Sequence, residues 1–183
     1  AARAIIESGE LGELVMIDDH STGEYFTPER PAWFMTKKLA GGGVSINFGV
    51  HTLDRFCYLT GSSVASITGA CTYQHPDSDV DGSAHFFLRA QSGVTGSVSI
   101  SGYPSIPEEY TTLYLTKGAI CIRPFVSVCK TTGGEYDPVD FSGYPGMFEA
   151  QMEDFVTAMD TGRVLYYTGA EGKRYVEVIA SIW

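Results

Sequence analysis

No stretch of this 183-residue sequence approaches the ~20 consecutive apolar residues that a membrane-crossing helix needs. The opening residues, "AARAIIESGELGEL", lack the basic segment and apolar core of a signal peptide. Positive charge is scarce. Twelve Lys and Arg stand against 22 Asp and Glu, giving a formal net charge of −10. A surface of that sign repels phosphate backbones, which argues against general nucleic-acid binding. The nearest thing to a basic cluster, Lys37 and Lys38 after Thr36, is too short to act as a local exception. Cysteine is sparse and unpatterned. Cys57, Cys71, Cys121 and Cys129 form no C-x-x-C pair and have mostly apolar or β-branched neighbours. That is the usage of buried free thiols in a reducing compartment, not of a zinc site or a disulfide framework. The expectation is a cytoplasmic protein without a metal.

What is present is the composition of a globular chain: 44% hydrophobic and 19% charged residues, long enough for one domain with a real core. The chain begins on Ala1 without a methionine and stops in "VEVIASIW", inside a helical pattern. It is expected to be a piece of a longer protein. Residues 1–8 read as a helix end closed by Gly9, and 14–20 as a strand. Residues 21–38 carry two prolines and exposed aromatics and read as loop. A helix is expected over 45–59, with Ile46, Val50, Leu53 and Cys57 as its apolar stripe and Gly61 as its stop.

A β-rich block follows: 63–75, 83–101 with "QSG" as a hairpin turn, 111–125 turning at Lys117-Gly118, and 126–130. Long strands with short turns argue for an antiparallel sheet. On the 94–101 strand, Thr95, Ser97, Ser99 and Ser101 share one side, and Val94, Val98 and Ile100 lie on the other. One sheet face should therefore pack on helices while the other stays solvated or meets another subunit. Two helices close the chain. The first places Phe148, Met152, Phe155, Val156 and Met159 on one face, expected to be core; the second begins near Gly169 with Tyr175, Val178, Ile179 and Ile182 on one side. The layout is α+β: an open, mostly antiparallel sheet with helices on one face.

The stretch "LAGGGVSINFGVH" (39–51) carries the functional signal. A dinucleotide fingerprint needs G-x-G-x-x-G between a strand and a helix. Gly41 and Gly43 fit, but Ile46 holds the third position and the preceding segment is loop-like. No Gly-Lys-Ser/Thr of a P-loop is present either. What remains is a tight turn into a helix, with Ser45 as its cap. On that helix Asn47, His51, Asp54 or Arg55, and Tyr58 share the polar side. Two readings follow: an ordinary polar face with a surface histidine, or His51 as a general acid/base with Asn47 one turn earlier orienting a substrate.

At this stretch the sequence resembles the C-terminal domain of the glucose–fructose oxidoreductase/inositol dehydrogenase (Gfo/Idh/MocA) family. That family's hallmark is a glycine cluster, then Asp-x-Gly-x-His, then an apolar helix ending in Leu-x-Gly. "GGGVSINFGVHTLDRFCYLTG" matches it in order and spacing. "ESGELGELVMI", "DVDGSAHFFLRAQSGVTGSVSIS", "LYLTKGAICI", "FEAQMEDFVTAMDTGR" and "GAEGKRYVEVIASIW" resemble the family's other segments in sequence order.

The resemblance implies a fold like the C-terminal domain of dihydrodipicolinate reductase, spanning 1–183. It implies a Rossmann NAD- or NADP-binding domain outside this chain, and hydride transfer between nicotinamide and a sugar or polyol. In it His51 handles the hydroxyl proton and Asn47 helps place the substrate. A homo-oligomer through the open sheet face is implied as well. Trp33, beside Phe34, could stack on a sugar ring, Lys38 beside Lys37 could meet hydroxyls or cofactor phosphates, and His20 could line the cleft. His75 and His85 are read as structural or surface residues.

Two departures stand out: the nucleotide fingerprint is missing, and asparagine occupies position 47 where the family has aspartate. Asparagine can accept and donate, but it offers no charge-assisted bond to a cationic His51. That leaves two alternatives: a non-catalytic sugar-sensing or regulatory relative, or a stand-alone oligomerisation module.

Overall fold

The computed structural model describes residues 1–165 and 167–182, apart from the side chain of Met147. A short helix α1 (Ala2–Ser8) leads into β1 (Leu14–Thr22). A 3-10 turn (Ala32–Met35) and three helices follow: α2 (Lys37–Ala40), α3 (Val44–Asn47) and α4 (Gly49–Thr60). Then come β2 (Val64–Thr72), β3 (Ser83–Ala90), β4 (Thr95–Ser101), β5 (Glu108–Leu115), β6 (Gly118–Arg123), β7 (Ser127–Thr131) and the two-residue β8 (Asp137–Pro138). Helices α5 (Met147–Thr161) and α6 (Gly169–Ala180) end the chain.

The strands form one eight-stranded sheet in the order β2-β3-β4-β1-β5-β6-β7-β8. Every neighbouring pair is antiparallel except β1 with β4, which run parallel. The expected α+β layout with an open, mostly antiparallel sheet is therefore the observed one. Side chains alternate between the two faces. Ile17, Leu88, Val98, Ile100, Leu113 and Ile120 lie buried on one face with Leu53 and Phe56 of α4 and Ile179 of α6. The other face carries His85, Phe87 and Ser97, all exposed.

A buried polar knot fixes α4 on this sheet. Asp19 on β1 accepts from Thr52 Oγ1 at 3.2 Å, Arg55 Nη1 at 2.9 Å and Thr111 Oγ1 at 2.8 Å. Arg55 also pairs with Glu109. Breaking a buried pair of this kind leaves an uncompensated charge, so the knot specifies how α4 sits.

Three expectations need correction. The single helix over 45–59 is two, because the chain breaks step at Phe48 (φ −100°, ψ −35°). Gly49 passes so close to the core that an added Cβ would lie 3.1 Å from Ile179 Cδ1 and 3.2 Å from Phe86. The stripe Ile46/Val50/Leu53/Cys57 is only partly right. Gly49, Thr52, Leu53, Phe56 and Leu59 are the buried positions of α4, while Ile46, Val50 and Cys57 form a half-buried edge packed on the core. Cys57 there faces Tyr175 of α6. Finally, the Phe148/Met152/Phe155/Val156/Met159 face of α5 is not core. These residues are 48–72% exposed. The α4 and α6 side chains already fill the sheet's covered face.

Candidate functional site

The site is assembled around the glycine turn, and the turn is clamped by a carboxylate. Asp81, 1% exposed, follows β2 in the loop to β3. Its two oxygens accept from the backbone N–H of Gly43 and of Ser45, both at 2.7 Å, and its carbonyl accepts from Val44 N–H at 3.0 Å. These are the donors that a helix start leaves unpaired. The expected cap, Ser45, is replaced in that role by Asp81, since α3 carries no side-chain cap of its own. Gly43 must be glycine here: a Cβ would lie 1.9 Å from the Asp81 carbonyl oxygen. A second tie lies one turn earlier. Asp79 Oδ1 accepts from Lys37 N–H at 2.5 Å, at the start of α2.

This clamp also tests the nucleotide reading. A phosphate cradle needs free N–H groups at the turn. Those of Gly43, Val44 and Ser45 are all committed to Asp81. The turn does not fit the phosphates of a dinucleotide, in agreement with its failure to match the fingerprint.

The clamp delivers Asn47 to the end of α3 and His51 to the first turn of α4. His51 is exposed and Asn47 half-buried, and neither side chain bonds another described residue. Behind His51 stands Asp54, a residue whose role the polar-face reading left open. Its Oδ1 is buried and has no hydrogen-bond partner among the described residues. Burial pushes its carboxyl above the usual carboxylate range, against a Tyr167 hydrogen bond and the charges of His51 and Arg55. Arg55 parts company with it and turns inward to Asp19. Deeper between α4 and α6, burial raises both the Cys57 thiol and the Tyr175 hydroxyl.

The loop before the glycines folds over this junction through Tyr25, which is 1% exposed. Its N–H donates to the Gly102 carbonyl at 2.7 Å. Its ring makes edge contacts with Phe26 at 5.3 Å, Phe34 at 6.4 Å and Phe48 at 6.2 Å. Trp33 stacks on Phe34 at 3.9 Å and remains 48% exposed. Trp33 therefore connects to the Asn47/His51 junction through Phe34, Tyr25 and Phe48. Lys38 lies exposed on α2, three residues before the turn.

His20 is not brought to this group. Asp19 faces α4, so the alternation sends His20 to the opposite face, where it stacks on Tyr110 at 4.9 Å. His75 stacks on Phe26 at 4.2 Å, and His85 lies exposed on the open face. No group of three or more metal-type ligands occurs among the described residues. None of their helices is long and apolar enough to cross a membrane.

The fold is an open sheet with one covered face, and an N-x-x-x-H pair lies at the start of the covering helix. The GFO/IDH/MocA C-terminal domain model matches residues 1–121, and the chain belongs to that family. No curated protein matches it. Among solved structures it is similar to the aldose-aldose oxidoreductase of Caulobacter crescentus complexed with glycerol, at 23% identity and a TM-score of 0.86, covering 98% of this chain and 55% of that one. It is similar to levoglucosan dehydrogenase in complex with NADH and levoglucosan, at 18% identity and 0.86, covering 99% and 59%. An oxidoreductase domain protein of Kribbella flavida gives 19% and 0.83, covering 99% and 58%. The chain thus spans little more than half the length of these structures.

Proposed function

We propose that this chain is the substrate domain of an NAD- or NADP-dependent oxidoreductase acting on a sugar or polyol. The observation that carries the reading is the Asn47/His51 pair. Neither side chain hydrogen-bonds another described residue, and the turn that leads into their helices is held by Asp81. His51 accepts the hydroxyl proton as the carbon–hydrogen bond gives up its hydride, and returns it in the reverse direction. Asn47 donates to or accepts from a neighbouring hydroxyl and fixes the ring. The Asp54 carboxylate supplies negative charge behind the imidazole that position 47 does not. A nicotinamide held by a nucleotide-binding domain outside residues 1–183 supplies the hydride acceptor. Trp33 offers a stacking face and Lys38 a cation at the rim; His20 belongs to the far face of the sheet.

That far face, with Phe87 at 55% and Tyr114 at 40% exposure, supports a homo-oligomeric contact. A cytoplasmic location agrees with four free cysteines. The test is sugar-dependent reduction of NAD or NADP by the protein purified from its natural source. Activity with at least one sugar or polyol is expected. A second reading, a sugar-binding relative without turnover, is favoured by the amide at position 47. It predicts sugar binding with no reduction of either nucleotide, and no gain from Asn47→Asp.

A further inference from the structure

Arg30 is the one arginine whose environment the fold leaves unfinished. Arg3, Arg55 and Arg163 pair with Glu7, with Asp19 and Glu109, and with Asp154. Arg174 donates to the Val64 carbonyl, and Arg89 and Arg123 are exposed to water. Arg30 is half-buried, its Nε is buried without a hydrogen-bond partner, and it forms no ion pair among the described residues. This happens in a chain carrying 22 acidic residues. The carboxylate that acts with Arg30 on the Tyr25 hydroxyl, Asp81, has both oxygens committed to the glycine turn. A buried guanidinium N–H without an acceptor is costly, so its persistence calls for an explanation.

The guanidinium is nevertheless held firmly. Its carbon lies 3.9 Å from the Tyr25 ring centroid and 4.9 Å from that of Phe34. Stacking on aromatic faces steadies the cation without using any N–H, so the two terminal amino groups keep their donors. The same two rings connect this cation to the site. Phe34 carries exposed Trp33, and Tyr25 touches Phe48, the residue between Asn47 and Gly49. An unpaired, planar cation stacked on the same two rings that carry the exposed indole and touch Phe48 is the equipment for an oxyanion on the substrate.

We propose that Arg30 recognises an anionic group, a carboxylate or a phosphate, on the sugar or polyol bound at the Asn47/His51 junction. The inference rests on the functional reading above and narrows it: the substrate is an acidic or phosphorylated carbohydrate, not a neutral one. Arg30 is a specificity residue; the proton still moves at His51.

The experiment measures affinity for D-glucose, D-glucuronate and D-glucose 6-phosphate by calorimetry, on the protein purified from its natural source and on recombinant Arg30→Gln and Arg30→Lys variants of the same full-length chain. The wild type should bind at least one of the two anions about tenfold or more tighter than glucose, and whichever gains identifies carboxylate or phosphate as the source. Arg30→Gln should remove that preference and leave glucose affinity unchanged. Arg30→Lys, which keeps the cation, should retain part of it. Melting temperatures of both variants show whether the Tyr25 stack survives. Equal affinity of the wild type for all three sugars, or an anion preference that persists in Arg30→Gln, overturns the proposal. A preference that depends on Arg30 without any nucleotide reduction keeps this inference and overturns the dehydrogenase reading.

Discussion

Replacing Asp81 with alanine removes both acceptors of the glycine turn at once. The carboxylate is 1% exposed and accepts two backbone N–H bonds of 2.7 Å. Hydrogen bonds to a charged acceptor contribute about 1.5–3 kcal/mol each, so two amount to about 3–6 kcal/mol. The variant also avoids desolvating the carboxylate, which places the net loss near the lower end, about 3 kcal/mol. Against a domain stability of about 5–15 kcal/mol that is a large fraction. Urea unfolding of wild type and variant at matched conditions reads the difference directly from the midpoint and slope. Asp81→Asn keeps the volume but turns an NH₂ donor toward one of the two N–H donors, so it should lose about as much. A loss under about 1 kcal/mol in both variants would refute the clamp. It would mean that the turn holds its shape by chain geometry alone and that Asn47 and His51 are positioned by something else.

Gly43→Ala sets a Cβ 1.9 Å from the Asp81 carbonyl oxygen, whereas the same change at Gly41 meets nothing within 4 Å and strains only a positive φ of 82°. The first should cost about 2–3 kcal/mol or more and the second about 1 kcal/mol in urea unfolding; equal costs would contradict the close approach. Asp54 has its folded pKa raised by burial above the ordinary 3.8. The folded state therefore holds that proton more tightly, and stability falls as pH rises from the unfolded value through the folded one. Asp54→Asn should lose this slope, so its melting temperature should gain on the wild type between pH 3.5 and pH 7; a pH-independent difference would count against a desolvated carboxyl. Leu53→Ala, at a fully buried position, should cost about 2–5 kcal/mol, and Phe155→Ser on α5, 48% exposed, about 0.5 kcal/mol or less in this chain. A large loss at Phe155 would show that α5 packs on the core after all.

Much of the fold was legible because it is written in local periodicity. Ala84, Phe86 and Leu88 alternate in the sequence with His85, Phe87 and Arg89, and the burial of each residue of β3 follows that alternation. The small-residue side of β4 likewise marked the open face. What local pattern could not supply was which face meets a partner. The α5 stripe is as regular as any core stripe, but a helix is buried only if a surface remains to receive it. The order of the strands was equally hidden, because the parallel β1–β4 contact joins segments some eighty residues apart.

The site divides in the same way. Asn47 and His51 were singled out by their spacing and by the family resemblance, and the fold sets both at the α3–α4 junction. Asp81 was not legible, since its role depends on a loop returning across the sheet to the glycines, although "DVDG" before a strand resembles the family's acidic start. Asp54 and Arg55 stood as alternatives on one helical side until their partners separated them: Asp19 draws Arg55 inward, and Asp54 stays behind His51. His20 was placed near the cleft by its position at a strand end, but one residue of alternation carries it to the opposite face.

The most direct measurement is steady-state sugar oxidation with NAD or NADP by the full-length wild-type protein and by His51→Ala, together with substrate affinity for both. The account predicts a kcat lower by about two orders of magnitude or more, with substrate affinity largely retained. An unchanged kcat in His51→Ala would contradict the assignment of His51 as the proton-transferring group.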